Sequence, residues 1–129
     1  MRQIFLCDFS QHYMMGDSYA MVRFTPKQFE ELLTMKKEAE TDDDKYDDLS
    51  EKIALIEKEQ KVQLFGLENV PYSEMFGKKS PKAVISILKQ GKNVSGEWEE
   101  GSFAFATTHK KAQTAVMKIE AKHVSDGWF

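Results

Sequence analysis

Cys7, Asp8 and His12 lie close together in sequence, near the end of an expected strand. A thiol near a histidine is the pattern of an activated nucleophile, in which the imidazole takes the thiol proton. Here the thiol closes the apolar run Ile4-Phe5-Leu6-Cys7, where a free cysteine packs as a small hydrophobe. Read this way, Cys7 belongs to the core and the chain has no catalytic residue. His109 lies in the basic run His109-Lys110-Lys111, and His123 lies near the end of the last apolar stretch. Their spacing fits neither a zinc motif nor a calcium loop. Thr41-Asp42-Asp43-Asp44 offers the oxygen ligands a hard cation takes, but it lacks the loop glycine and ordered ligand spacing. No metal is expected. No glycine-rich phosphate loop occurs, so no nucleotide cofactor is expected either. Gly101-Ser102-Phe103-Ala104-Phe105 carries aromatics in the alternation used by RNA-stacking strands. The element order does not fit βαββαβ, and the alternation equally suits a core face, so the two phenylalanines are assigned to the core.

What remains is charge. Glu38, Glu40, Asp42, Asp43, Asp44, Asp47, Asp48 and Glu51 fall in one short stretch, with Lys45 the only base among them. Closely spaced carboxylates on a rigid helix imitate the phosphate spacing of nucleic acid, attract basic grooves and speed association. These eight are the candidate partner-binding residues. The partner they fit is a protein with a basic surface, with no direct contact to nucleic acid or membrane. Met14, Met15 and Trp128 are secondary contact candidates, since methionine adapts to irregular surfaces and tryptophan anchors interfaces. The function that suits such an element is that of a small non-enzymatic inhibitor or neutraliser, of the anti-defence or immunity type. One alternative is a self-assembling homodimer built on the apolar stripe from Leu32 to Ile56. The other is a small enzyme whose site is scattered through the sequence.

The acidic residues need an element to hold them, and Thr25 to Lys61 carries strong local signals. Thr25 is placed to cap a helix, Pro26 sits at the first helical position, and Gln28 completes a capping box. Phe24 and Phe29 have the spacing of a hydrophobic staple. Leu32, Met35, Ala39, Asp42, Tyr46, Leu49, Ile53 and Ile56 keep one heptad phase, which permits one long helix. Three consecutive aspartates are better used as a break and a new cap, so a helical hairpin that breaks near Thr41–Asp44 is the preferred reading.

Around this element the sequence predicts six strands. They are Gln3–Phe9, Tyr19–Phe24, Val62–Leu67, Val94–Glu99, Ser102–Thr108 and Gln113–Val124, the last with Ala115, Met117, Ile119 and Ala121 inward. Ser10–Ser18 reads as a loop, Glu68–Lys79 as irregular with exposed Tyr72 and Phe76, and His109–Lys111 as a turn. Gly66 marks a bulge or a close backbone approach. Ser80-Pro81 opens a short third helix that ends at Gly91. The expectation is one α+β domain over 1–129, with a mostly antiparallel sheet and its helices on one face.

Composition agrees with a globular chain, at 41% apolar and 30% charged residues. No apolar run is long enough to cross a membrane. Asp8 cuts the opening apolar run short of a secretory leader, and Cys7 has no partner for an internal disulfide. A cytoplasmic location is therefore expected. The charge is unevenly spread. Residues 1–75 hold 16 acidic against 9 basic side chains, whereas 76–129 hold 5 against 9. Such a chain either pairs its halves internally or shows different faces to different partners.

Overall fold

The fold was taken from a computed structural model, which describes residues 2–12 and 16–125. Met14, Met15 and Trp128 lie outside the described residues. Strand β1 (Ile4–His12) pairs antiparallel with β2 (Gly16–Phe24), in a register running from Ile4 opposite Phe24 to His12 opposite Gly16. The pairing therefore continues through the polar residues that the sequence assigned to a loop. Backbone hydrogen bonds across a hairpin do not require apolar side chains.

Thr25 then starts helix α1 (Pro26–Ala39). Its hydroxyl accepts the Gln28 N–H at 3.1 Å, and the Gln28 side chain accepts the Thr25 N–H at 3.0 Å, which closes the capping box. The rings of Phe24 and Phe29 meet with centroids 6.0 Å apart. Helix α2 (Asp43–Gln60) follows after three residues. Asp42 has extended backbone and caps α2 through Oδ1, which accepts from the Asp44 N–H at 2.9 Å. The element is thus a hairpin and not one long helix, because the aspartate run satisfies a new helix start better than it continues the old one.

The chain continues through α3 (Phe65–Asn69), α4 (Tyr72–Phe76) and α5 (Pro81–Lys89), then β3 (Val94–Trp98), β4 (Gly101–Ala106) and α6 (His109–Ser125). The sheet has four strands in the order β2-β1-β4-β3, all antiparallel. Of the six expected strands, one is an irregular segment leading into a helix and one lies wholly within a helix. Val62–Leu67 runs into α3 because Leu64, Leu67 and Val70, all buried, recur every three residues, the spacing of a helical face. Gln113–Val124 lies within α6. Its inward residues are Ala112, Ala115 and Val116, while Met117 is 58% exposed. Alanine, lysine, glutamine and methionine favour helix. The expected turn at His109–Lys111 is the first turn of α6, where the Thr108 hydroxyl accepts the Lys111 N–H at 3.1 Å. Tyr72 and Phe76, expected on an exposed irregular segment, are buried in α4.

Helices cover both faces of the sheet, not one. On one face, Ile4 and Leu6 of β1, Val22 of β2 and Phe103 and Phe105 of β4 pack beneath α1 to α5 in the main core. On the other, Cys7, Ala104 and Ala106 meet Ala112, Ala115 and Val116 of α6. Small side chains from both sides let α6 lie close to the sheet. Within the sheet, Gly101 of β4 permits a close approach to β1, since a Cβ there would stand 1.9 Å from the Phe9 carbonyl oxygen.

Candidate functional site

The hairpin presents two unlike sides. Leu32, Leu33, Leu49 and Ile53 are buried in the main core, with Met35, Ala39 and Ile56 packed against it. Most of the stripe that keeps the heptad phase is thus used within the chain, and Tyr46 alone among its large apolar members stands 48% exposed. On the outer side Glu38, Glu40, Asp42, Asp43, Asp44, Asp47, Asp48 and Glu51 are all exposed. Among the described residues none of the eight forms an ion pair with a lysine or arginine; the nearby surface pair is Lys52 with Glu31, at 3.9 Å.

Part of this charge has a local structural use. Asp42 is the α2 cap, and Asp43 and Asp44 occupy the first turn, where negative charge complements the helix dipole. Glu40 reaches across to α4 and accepts the Ser73 N–H at 2.6 Å. Asp47, Asp48 and Glu51 lie beyond the first turn of α2. For them the fold offers neither a cap nor an ion pair.

A second charged constellation is buried, and sequence reasoning missed it. Asp8, 1% exposed, projects from β1 onto the start of α3. Its Oδ1 accepts the Gly66 N–H at 3.1 Å and its Oδ2 the Leu67 N–H at 2.9 Å. Gly66 is required there, because a Cβ would stand 2.9 Å from Oδ1. The close approach expected at Gly66 is real, although its partner is a carboxylate and its setting a helix. At the other end of α3, Lys36 of α1 donates to the Leu67 carbonyl at 2.7 Å and also to the Val70 carbonyl. Lys36 is 3% exposed. One helical turn is therefore held with a carboxylate at its positive end and an ammonium at its negative end, the arrangement its dipole favours.

Burial pushes the Asp8 carboxyl up to about 6, against the lowering effect of the Leu67 and Gly66 N–H groups, Ser10 and the Lys36 charge. Ser10 Oγ lies close enough to favour the charged form, yet it makes no hydrogen bond of normal geometry. Burial likewise pulls Lys36 down to about 8, opposed by the charges of Glu40 and then Asp8. The sequence did hold a signal for each residue. Asp8 interrupts an apolar strand, and Lys36 falls four residues after Leu32 on the apolar face of α1.

Cys7 lies on the opposite sheet face, fully buried. Burial raises its thiol pKa, the Tyr19 hydroxyl lowers it by hydrogen bonding, and the Asp8 charge raises it further. The net effect is upward, which keeps the sulfur protonated and poorly nucleophilic. Among the described residues no cluster of His, Cys, Asp or Glu is arranged to hold a metal ion, and no helix is long and apolar enough to cross a membrane.

No protein-family model matches this chain, and neither a curated protein nor a solved structure matches it.

Proposed function

We propose that the chain is a non-enzymatic protein-binding domain whose acidic hairpin occupies a basic surface on a partner protein. In that role it is a small inhibitor or neutraliser of the anti-defence or immunity type, and its target surface is one that otherwise meets nucleic acid. The observation that carries this reading is the exposure of all eight carboxylates on a hairpin whose other side is locked into the core. Like charges held close on a rigid backbone repel one another, so Asp47, Asp48 and Glu51 bring the isolated fold no evident gain. The same preorganised charge attracts a basic groove and raises the rate of encounter. The self-assembly reading through Leu32–Ile56 is weaker on this fold, because Leu32, Leu49 and Ile53 are buried in the chain's own core.

The test replaces Asp42, Asp43, Asp44, Asp47 and Asp48 together with asparagine, which keeps shape and retains capping ability at position 42. A partner captured from lysate is identified and titrated against wild type and variant. The association rate of the variant should fall by roughly tenfold or more at low salt, and wild-type affinity should weaken as salt rises past about 0.15 M. Equal affinity of a folded five-asparagine variant at low salt would remove the acidic surface from the function.

A further inference from the structure

Helix α6 lies on the sheet face opposite the acidic hairpin, and its outer side is basic. Lys110, Lys111, Lys118 and Lys122 are all exposed, and the carboxylate of Glu120, the acidic residue among them, turns back to accept the Ser102 hydroxyl at 2.8 Å. At about 1.5 Å per residue these lysines span about 18 Å of helix, and Asp43 to Glu51 span about 12 Å of α2. The outer sides also carry large exposed apolar side chains, Met117 on α6 at 58% exposure and both Tyr46 and Leu55 on α2, at 48% and 66%. Methionine sulfur against an aromatic ring is a favourable contact. The hairpin packs on one face of the sheet and α6 on the other, and among the described residues no ion pair joins the two.

Resting on the reading of the hairpin as a surface for basic partners, we infer that one such partner is a second copy of this chain. The acidic hairpin of one molecule docks on α6 of the next. The contact is heterologous, because different patches meet, so it propagates head to tail into a ring or a filament unless the rotation closes it early. Both patches are exposed and charged, so the association is weak and is lost as salt screens it. A net charge of only −3 leaves little overall repulsion to oppose it.

Sedimentation equilibrium at about 20 mM and about 0.5 M salt reads this directly, the two conditions lying on either side of effective screening. The weight-average mass of the wild type should rise with concentration at low salt, reaching at least roughly twofold the monomer's, and return to the monomer at high salt. Two charge-reversed chains complete the test. One carries Asp47→Lys, Asp48→Lys and Glu51→Lys, and the other Lys110→Glu, Lys118→Glu and Lys122→Glu. Each should be monomeric alone, and an equimolar mixture should associate at low salt, because opposite faces are again available. Circular dichroism establishes that both are folded. A wild type that stays monomeric at low salt, or a mixture of folded variants that fails to associate, overturns the inference. So does a monomeric wild type that retards a short DNA duplex through the same three lysines, which would assign α6 to nucleic acid. The five-asparagine comparison reports on the hairpin alone. A hairpin that binds its partner in a chain that stays monomeric overturns this inference and leaves the proposed function standing.

Discussion

The buried pair Asp8–Lys36 makes a demanding prediction about stability and pH. The folded Asp8 carboxyl titrates near 6, against an ordinary value of 3.8. Between those values the folded chain binds more protons than the unfolded one, so stability falls as pH rises. The contribution of neutral Asp8 is complete below 3.8 and is lost as pH climbs through about 6. The full shift corresponds to about 3 kcal/mol, of which about 2 kcal/mol is lost between about pH 4.5 and 7.5. Lys36 has the opposite limb. Its folded value is depressed to about 8 from 10.5, so its contribution is complete above 10.5 and is lost as pH falls through about 8. Both groups are charged and desolvated between about 6 and 8, so this pair alone would place a stability minimum near neutrality. Asp8→Asn isolates the acid limb, because asparagine keeps the size of aspartate and does not titrate. The difference in unfolding free energy between wild type and Asp8→Asn cancels every other carboxylate to first order. That difference should shift by about 2 kcal/mol in favour of the variant from about pH 4.5 to 7.5, whatever its value at either end. Urea unfolding followed by circular dichroism at several pH values measures it, with constant slopes required. Parallel profiles, with the difference constant within about 0.5 kcal/mol, would refute the claim that Asp8 is desolvated against α3.

Three further outcomes follow from local geometry. Thr25→Ala should lower stability by about 1 kcal/mol through loss of the cap, seen as a lower urea midpoint; an unchanged midpoint would mean that the capping box contributes nothing. Gly101→Ala should cost more than any cap, over about 3 kcal/mol, because the new Cβ meets the Phe9 backbone, whereas Gly66→Ala meets a side-chain carboxylate and should cost less. Thermal melts of the two variants rank them, and the reverse order would contradict the packing at β1 and β4. Cys7 should resist thiol reagents in the folded chain and react at the rate of global unfolding, because its sulfur is buried and protonated. Labelling in native buffer faster than unfolding would place Cys7 at the surface.

The residues that the sequence could place by itself are those whose partners lie within a helical turn. Thr25 with Gln28, Ser80 with Ala83 and Asp42 with Asp44 satisfy backbone groups two or three residues away, so residue type and order are sufficient to start each helix. The exposure of the eight carboxylates was legible for a similar reason, since so many like charges have no tolerable place inside. Phe103 and Phe105 on one face and Ala104 and Ala106 on the other followed from strand alternation alone. Tertiary structure decided the rest. Residues 113–124 fit a two-residue and a helical period almost equally, and the close alanine contact with the sheet selected the helix. Asp8 meets Gly66 across 58 positions and Lys36 meets Val70 across 34. A buried charge is tolerated only where backbone groups arrive to receive it, and those groups come from segments brought together by the completed fold.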